Sequence, residues 1–580
     1  MRGALSRNAE VADLLYQIAK ILDVQGVQFK PRAYQRAAVN VESLAEDIER
    51  VAAEDRLGDI PGVGEAIALK IREYLASGKL EYLEKLRKEV PDGLLALMAV
   101  PGIGPKKAQR LWKELKIQSL DDLRKAIVQH KVRDHAGFGE KSEADLLNAI
   151  GNVAHSQVRH SLYDAHQHAQ ALQAHLVREV GKLRMAFAGS YRRGRDTVGD
   201  LDLLVEADAA KAVRVADAFV GYSMVGEVLE KGATRSRVRL KSHIQVDLRV
   251  VPPESFGAAM VYFTGSKEHN IALRALALRQ GYTLNEYALS RKKDERRIAG
   301  ASEEDVYGKL GLSWIPPEIR ENRGEIDRAA KGDLPTLVEL GDLKGDLHTH
   351  TNASDGRAKL EVMARAAAKK GYAYYGVTDH SVGLRIANGL DAARYARQRK
   401  DIERVQQAFP NMRILQGSEL EILKDGRLDL TAKARAELDY VVGAVHSAFK
   451  LGKKQQTARV LRAMDSGIDI LAHPTGRRIQ KRPALELDLE AVADKAKETG
   501  VLLEVDATPD RLDLWGDVIQ VCRERGARFA IDSDAHAVAE LDFVPFGITQ
   551  ARRGWLTSAD VANAQALPQL MKSLGHAKRT

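Results

Sequence analysis

The pattern of apolar and polar positions divides the chain into a helical first part and two parts that mix strands with helices. Residues 1 to about 150 show apolar positions at helical spacing, interrupted by turns that contain glycine. Between residues 151 and 253, one helical segment precedes stretches in which apolar and charged residues alternate, as in strands. From Gly345 onward, short apolar runs alternate with helical segments, which indicates successive βα units. The pattern predicts a multidomain α+β protein.

Changes in composition suggest where the domains begin and end. We predict helical regions at 1–88 and 89–150, mixed domains at 151–253 and 254–318, a linker at 319–341 and a C-terminal domain at 342–580. The linker is predicted because its sequence is dense in charge, poor in apolar residues and preceded by Pro-Pro.

A strand-like stretch, residues 198–204, carries two carboxylates two positions apart. Asp200 and Asp202 would project from the same face of this strand, where they repel each other unless a cation lies between them. A third carboxylate, Asp247, lies in another strand-like segment, residues 244–251. If the two strands are neighbours, these carboxylates could hold two Mg²⁺ or Mn²⁺ ions for an in-line displacement at phosphorus. The alternative for the Asp-x-Asp pair alone is a solvated strand edge.

A glycine-rich element precedes the acidic strand and offers groups that suit a triphosphate. Its sequence from Gly189 is Gly-Ser-Tyr-Arg-Arg-Gly, and Gly199 directly precedes the first aspartate. Backbone N–H groups, the hydroxyl of Ser190 and the guanidinium of Arg193 are typical phosphate donors. Together with the three carboxylates, this element favours nucleotidyl transfer over a merely solvated edge.

Three segments in the helical region place Gly-x-Gly before a helical pattern. The pairs are Gly62 and Gly64, Gly102 and Gly104, and Gly137 and Gly139. Glycine lets the backbone approach a phosphate closely, and the N-terminus of the next helix presents free N–H groups. The segments resemble the helix-hairpin-helix motif, which holds DNA backbones without reading bases. The alternative is a helix-capping turn with a packing glycine, and the third segment lacks the proline of the first two.

Ligand-type residues follow successive apolar runs in the C-terminal domain. The carboxyl ends of successive βα strands converge at one mouth of an α/β barrel, so we expect these residues to meet. Histidines with carboxylates suit Mn²⁺, Zn²⁺ or Fe, and the set is too large for one ion. The set comprises His348, His350, Asp355, His380, Glu419, His446, His473, Asp534 and His536, and Glu421 remains an alternative to Glu419.

These motifs resemble the bacterial family X DNA polymerases that carry a C-terminal PHP (polymerase and histidinol phosphatase) domain. The match includes Gly199-Asp-Leu-Asp202, Val246-Asp-Leu-Arg249 and Tyr262-Phe-Thr-Gly265 and covers nearly the full length. It implies a lyase-like helix-hairpin-helix domain, fingers with further hairpins, a nucleotidyltransferase palm and a thumb. The last domain would be a distorted (β/α)7 PHP barrel whose nine candidate ligands hold three metal ions.

The resemblance also implies roles for individual residues. Arg159 would contact the triphosphate, Gly265 would allow close approach of the nucleotide, and Lys70 matches the Schiff-base lysine of 5′-deoxyribose-phosphate lyases. A phosphate-contacting or surface lysine is the alternative for Lys70. The predicted contacts to the base, the sugar or the minor groove come from Tyr262, Phe263, Asn270 and Arg274.

The implied function is a repair polymerase that fills short gaps with deoxynucleoside triphosphates. The PHP domain would act as a 3′→5′ exonuclease, with abasic-site endonuclease and 3′-phosphatase activity also implied. A net charge of +9 favours a polyanionic partner, and we predict sequence-independent binding of gapped or primed DNA by a monomer. The single cysteine, Cys522, and the lack of an apolar leader predict a cytoplasmic protein, and no apolar run is long enough for a membrane span.

Two other functions remain open from the residues alone. One is a small-molecule nucleotidyltransferase fused to a histidinol-phosphate-like phosphatase, against which the hairpins argue. The other is a non-catalytic DNA-binding scaffold, against which the complete ligand sets argue.

Overall fold

A computed structural model describes residues 159–574 throughout and part of the chain before them. The earlier described residues are 7–25, 27, 29–42, 44, 48–90, 97, 100, 103–133, 135, 138, 139, 143 and 146. The chain forms two compact units, Met1–Val158 and Arg159–Thr580, which are considered separately.

The described regular elements of the first unit are all helices, as the apolar spacing predicts. Its α-helices are Arg7–Gln25, Lys30–Glu42, Ile48–Ala53, Glu65–Ser77, Glu81–Glu89, Pro105–Leu115 and Leu120–Val128. Gly64 and Gly104 are the extended residues that directly precede two of these helices. Gly62 has a φ of +88°, which favours glycine. Gly102 and Gly137 lie outside the described residues.

The second unit begins with a five-stranded mixed sheet. In spatial order its strands are Arg184–Phe187, Asp200–Glu206, Gln245–Val251, Arg235–Leu240 and Val225–Glu230. The second and third strands are parallel, and the other neighbours are antiparallel. Helices Leu162–Val180 and Ala209–Val220 pack on the sheet with buried leucine, valine and phenylalanine side chains. Each helix begins with a capping side chain, Ser161 and Asp208 respectively.

A smaller helical domain with a three-stranded sheet follows. Its helices are Phe256–Thr264, Lys267–Arg279, Glu303–Lys309 and Glu325–Lys331, and its strands are Tyr282–Leu284, Leu289–Arg291 and Arg297–Ala299. A buried polar network joins the last helix to this domain, because His269 contacts Glu325 at 2.6 Å and Tyr307 at 2.9 Å.

Residues 319–341, which we predicted as a linker, are part of the folded structure. Arg320 and Glu325 are fully buried, and Arg320 pairs with Glu303 at 2.7 Å. Val338 is buried in the core of the C-terminal domain, where its N–H donates to the carbonyl of Leu556. The high charge density of this stretch supplies specific buried ion pairs, which a sequence pattern alone does not distinguish from solvated charges.

The C-terminal domain is built from parallel strands and surface helices. One sheet contains Gly345–Asp346, Tyr374–Val377 and Arg413–Gln416, and the other contains Glu419–Glu421, Val442–Ala444, Ile470–Leu471, Leu502–Asp506 and Phe529–Asp532. The α-helices are Leu360–Lys369, Ala392–Gln406, Ala432–Arg435, Lys453–Asp465, Leu489–Thr499, Gly516–Glu524, Val544–Arg553 and Leu567–Ser573. Strands and helices alternate along the chain, which is the predicted βα order.

The predicted distorted (β/α)7 barrel is not confirmed, because the regular strands form two separate sheets. Isolated parallel bridges join Thr349 to Ala535 and His380 to Glu419, beyond the regular strands. These bridges bring the carboxyl ends of the strands into one region, which is the feature that positions the candidate ligands. Among the described residues, no helix has the length and apolar character needed to cross a membrane.

Candidate active sites

The three candidate carboxylates of the palm-like domain lie on neighbouring parallel strands. Asp202 and Asp247 are direct partners in the register, and Asp200 lies two residues before Asp202 on the same face. Burial first, and then the charges of Asp200 and Asp247, raise the pKa of Asp202 to about 7. Bound cations would relieve this cost, so the residues fit divalent ions with oxygen ligands.

The third carboxylate is held by an arginine from the next strand. Arg237, the antiparallel partner of Asp247, donates from Nε to both carboxylate oxygens, at 2.9 and 3.1 Å, and from Nη2 at 3.0 Å. Gln245 also donates to Asp247, at 2.8 Å. Nothing in the sequence motif pointed to Arg237, although alternate charged positions on the strand Arg235–Leu240 are a signal for side chains on one face.

The glycine-rich element forms a short helical turn, Gly189–Arg192, directly against the strand Asp200–Glu206. Gly189 has a φ of +64°, and a Cβ atom there would lie 2.4 Å from Oδ2 of Asp202. Only glycine therefore allows the turn to come so close to the carboxylate.

The two arginines of this element are held by carboxylates of the smaller domain. Arg192 binds Glu303 through two bonds of 2.7 Å, and Arg193 donates to Glu321 at 3.2 Å. Arg193 is therefore not free in this structure, and the backbone N–H groups and Ser190 are the turn's other candidate phosphate contacts.

Other predicted nucleotide contacts lie near the same strand ends. Arg159 donates to Oγ1 of Thr197 at 2.8 Å, and a Cβ at Gly199 would lie 3.7 Å from the guanidinium of Arg159. Gly265 has a φ of +69°, and a Cβ atom there would lie 3.1 Å from Nη1 of Arg193.

The residues predicted to contact the base, the sugar or the minor groove lie on both sides of Gly265 in the sequence. Tyr262 is 37% exposed and packs edge-on against Phe263, with ring centroids 5.1 Å apart. The amide of Asn270 donates to the carbonyl of Tyr262 at 2.7 Å, so it positions this aromatic pair, while Arg274 is exposed.

In the N-terminal unit, Lys70 lies on the helix that follows the first hairpin. Its ammonium group donates to the carbonyl of Ala66 at 3.1 Å and lies 4.7 Å from the centre of the Tyr82 ring. Tyr82 in turn stacks with Tyr34, at 6.5 Å between centroids. Gly139 is described, but its predicted partner Gly137 is not.

In the C-terminal domain, the candidate ligands meet around one buried carboxylate. Glu419 lies 2.8 Å from His380, 2.9 Å from His473 and 3.2 Å from His446. The opposite side of the cluster contains Asp534, 3.2 Å from His350.

Asp355 joins the remaining histidines to this cluster. It lies 3.4 Å from His380 and 3.5 Å from His536, and His348 lies 3.4 Å from Glu419. The structure therefore brings all nine predicted residues together.

The cluster fits divalent metal ions. Three overlapping groups offer ligand atoms within 4.8 Å of one another: His350, Asp355, His380 and His536; His348, His350 and Glu419; His380, Glu419 and His446. Buried atoms without a hydrogen-bond partner point into the site, among them Nε2 of His348, both ring nitrogens of His350 and Oε2 of Glu419. Such orphaned donor and acceptor atoms are expected where metal ions complete the bonding.

Two further carboxylates orient the ligands from behind. Glu504 accepts from Nδ1 of His348 at 2.6 Å, which leaves Nε2 for the centre of the cluster. Glu421 accepts from the backbone N–H and Nδ1 of His446, at 3.0 and 3.1 Å. This geometry places Glu419 in the cluster and Glu421 beside it. The sequence analysis missed Glu504, although an acidic residue within an apolar strand was a signal.

The electrostatics of the cluster differ from those of the palm. Burial disfavours the charge of Glu419, but His380 and the other imidazoles lower its pKa well below the ordinary value. Despite burial, Glu419 and Asp355 raise the pKa of His380 to about 10. The charges of Glu419 and His380 therefore compensate each other in part.

Basic and aromatic side chains line the cavity that contains the cluster, among them Arg357, Arg478, Arg511 and Phe543. Arg511 is also close to Asp506 and Asp534, at 3.5 and 3.9 Å. Positive charge in the cavity suits a substrate with phosphate groups.

Family models match most of the chain from residue 6 to residue 505. A helix-hairpin-helix domain matches residues 6–80, a tandem helix-hairpin-helix model matches 94–152, and the DNA polymerase beta palm matches 163–252. The DNA polymerase beta thumb matches residues 259–321, and the PHP domain matches 346–505.

Curated proteins extend this similarity to the full length. The chain is 37% identical to "DNA polymerase/3′-5′ exonuclease PolX" of Bacillus subtilis (strain 168) over 562 residues, which is 96% of this chain and 97% of the relative. This chain belongs to the family X DNA polymerases with a C-terminal PHP domain. It is also 28% identical to DNA polymerase lambda of Rattus norvegicus, over 55% of this chain and 57% of that protein. DNA polymerase lambda of Arabidopsis thaliana is 24% identical over 54% of this chain and 62% of that protein.

The family assignment confirms the predicted domain types. Palm, thumb, PHP domain and helix-hairpin-helix regions are all matched in the predicted order. The boundaries we gave and the roles of individual site residues stay predictions.

Proposed function

We propose that this chain is a DNA repair polymerase that also carries a 3′→5′ exonuclease. Its palm would extend a DNA primer with deoxynucleoside triphosphates to fill short gaps, and its PHP domain would remove nucleotides. The observation that carries the proposal is the pairing of Asp202 with Asp247 beside the glycine turn, in the same chain as a nine-residue ligand cluster. The full-length similarity to a protein named for both activities supports it.

In the palm, the carboxylates have distinct tasks. Asp200 and Asp202 would hold Mg²⁺ or Mn²⁺, which supply charge stabilisation to the attacking oxygen and to the leaving group. Asp247 would assist removal of the proton from the primer 3′ hydroxyl once Arg237 no longer occupies both of its oxygens. The N–H groups of the Gly189 turn and Ser190 would orient the triphosphate.

In the PHP domain, the residues would bind and orient a phosphodiester. The nine-residue cluster would hold three divalent ions, of Mn²⁺, Zn²⁺ or Fe, which supply Lewis acidity. Arg478 and Arg511, which line the cavity, would bind the phosphates next to the bond that is cleaved. The same cluster would also support the abasic-site endonuclease and 3′-phosphatase activities, because these too are hydrolyses at phosphorus.

The hairpins would bind gapped or primed DNA through its phosphates. Gly64 and Gly104 each precede a helix whose first N–H groups lack partners within the helix. We therefore propose binding that ignores sequence and weakens steeply with salt, by a chain that acts as a monomer. A small-molecule transferase would not show a salt-dependent shift of gapped DNA.

Lys70 gives a weaker second activity, 5′-deoxyribose-phosphate lyase. Its place on the helix after the first hairpin and its contact with the Tyr82 ring support this role. Borohydride trapping of the chain on a 5′-abasic end, compared with a Lys70→Ala variant, tests it. No covalent adduct with the unaltered chain would exclude the lyase.

The main test follows both reactions on one substrate. A labelled primer beside a one-nucleotide gap is incubated with and without deoxynucleoside triphosphates, in Mg²⁺ and then in Mn²⁺. The proposal expects lengthening by one nucleotide when nucleotides are present and shortening when they are absent. A primer that stays unchanged under all conditions would contradict both halves of the proposal.

A further inference from the structure

The segment that follows the glycine turn lies against the PHP domain. Gln550 donates to the carbonyl of Gly194 at 2.9 Å, and Arg553 donates to the carbonyl of Arg193 at 2.6 Å. Gly194 is the last residue of the Gly-Ser-Tyr-Arg-Arg-Gly element, so side chains of the PHP domain hold the backbone of the palm's candidate phosphate-binding segment.

A third contact holds the same segment two residues later. Arg477 donates to Oδ2 of Asp196 at 2.8 Å. The same guanidinium donates to the carbonyls of Arg511 and Leu512, at 2.7 Å each, and lies 4.2 Å from the centre of the Trp515 ring. Arg477 is therefore fixed by the PHP domain, and Asp196 takes its position from it.

Gln550 is fixed by the PHP domain as well. It is 1% exposed, and its Oε1 accepts from the N–H of Gly516 at 3.2 Å. A donor whose own position is set in this way transmits the geometry of its domain to Gly194, rather than adapting to it.

Steric contact leaves the segment little room to move. Gly194 has a φ of +64°, and a Cβ atom there would lie 2.0 Å from the methyl group of Thr549 on the helix Val544–Arg553. On the opposite side of the element, a Cβ at Gly189 would lie 2.4 Å from the carboxylate of Asp202. The element is thus enclosed between the PHP helix and the catalytic strand of the palm.

We propose that the PHP domain positions the nucleotide-binding element of the palm, and that Gln550 and Arg477 are positioning residues for nucleotide addition. The inference rests on the proposed polymerase function. Neither side chain belongs to the nine-residue cluster or to the palm carboxylates. Each acts through residues 193–196, whose displacement would move the turn away from Asp202 and weaken its hold on the phosphates.

The first test replaces the donor and keeps the size of the side chain. Gln550→Leu should raise the KM for the deoxynucleoside triphosphate about tenfold and change kcat less than about threefold, since a ground-state contact is loosened. Exonuclease activity on single-stranded DNA should stay within about twofold of the unaltered chain. Gln569→Leu, an exposed glutamine elsewhere in the PHP domain, is the matched control.

Arg477 gives an independent variant in case Gln550→Leu does not fold. Arg477→Met keeps an apolar stem over Trp515 but removes the donors to Asp196, and it should raise the same KM by a similar factor. Arg477→Lys keeps the charge beside Asp196 and should recover part of the loss.

The second test asks for rescue across the two domains. Gly194→Ala should raise the KM, because the new methyl group meets the Thr549 methyl and because a φ of +64° disfavours alanine. Adding Thr549→Ala removes the methyl clash and leaves Cβ 3.5 Å away, an ordinary contact, but the backbone strain stays, so it should restore part of the loss. A general loss of stability would not be repaired by this particular second substitution.

Three outcomes separate the possibilities. Folded Gln550→Leu and Arg477→Met variants with an unchanged KM would overturn the positioning role. An equal fall of both activities would also overturn it, since it would show damage to the whole unit. If the unaltered chain adds no nucleotide, the polymerase function itself fails, which is a distinct result.

Discussion

The two candidate active sites differ in the signs of the charges that they bring close together. The PHP cluster mixes imidazoles with carboxylates, and its groups already lie within metal-binding distance of one another. The palm has carboxylates of like charge, and its third member, Asp247, is paired with Arg237. Among the described residues, the groups of three or more ligand atoms within 4.8 Å of one another all belong to the PHP domain.

The fold by itself brings the PHP ligands together, whereas the palm site is completed by its ions and substrate. In the PHP domain, most ligands lie shortly after a parallel strand and Glu419 begins one, so the backbone positions the cluster. In the palm, burial first and then the charges of Asp200 and Asp247 raise the pKa of Asp202, and bound cations would offset these effects. The following experiments test this difference between the two sites.

The largest effect is expected in the palm. Asp202→Asn removes a carboxylate that no neighbour replaces, and nucleotide addition should fall by about ten-thousandfold, because several kcal/mol of charge stabilisation are lost. Exonuclease activity should remain. Primer extension and primer shortening on the same gapped DNA measure both, and Glu206→Gln at the end of the same strand is the control. Loss of both activities in a folded variant would show that the sites are not separate.

The converse substitution is Glu419→Gln in the PHP cluster. The central carboxylate contacts several histidines, so exonuclease activity and metal content should fall, the activity by about a thousandfold. Gap filling should persist. Metal analysis of the purified variant gives a readout besides activity, and full retention of bound metal would contradict the placement of Glu419 at the centre.

A smaller effect is expected from Glu504, which orients His348 from behind. Glu504→Gln should lower metal affinity and exonuclease activity by about 10- to 100-fold, the range for residues that support a ligand. Titration of the metal-free variant with Mn²⁺ measures the affinity. Glu498→Gln, at an exposed position, should behave like the unaltered chain. Equal behaviour of the two variants would mean that the fold alone fixes His348.

The smallest effect is on the pH dependence of metal loading. Burial and the neighbouring carboxylates raise the pKa of Asp202 to about 7, so a proton competes with the cation below this pH. The apparent Mg²⁺ affinity in primer extension should therefore fall about tenfold from pH 8 to pH 6.

In the PHP cluster the proton competes at the imidazoles instead. Despite burial, Asp355 and Asp534 raise the pKa of His536 to about 9, and that of His380 is about 10. Metal affinity of the exonuclease should thus continue to rise above pH 8, where that of the palm is level. Identical pH profiles for the two sites would remove the electrostatic contrast.

Much of this arrangement could be predicted from residues whose spacing is regular. Asp200 and Asp202 follow the two-residue period of a strand, and the PHP ligands each end an apolar run. The pairing of Asp247 with Arg237, the support of His348 by Glu504 and the contact of Gln550 with Gly194 connect residues far apart in sequence. Such contacts depend on register and packing, which the local pattern does not contain.

The expected linker shows the same limit in another form. Its charges suggested solvent, but Arg323 donates to Gln520 and Asp517 of the PHP domain, at 2.9 and 2.7 Å. Glu321 and Arg553 form a further pair at 3.0 Å. Composition records that a residue is charged and does not record which partner it will find.

These pairs have a practical consequence for dissecting the enzyme. Because residues 319–341 contact both the thumb and the PHP domain, a truncation at residue 341 would remove Arg323 from Asp517 and the N–H of Val338 from the carbonyl of Leu556. The thumb and the PHP domain are better purified as one fragment than as two.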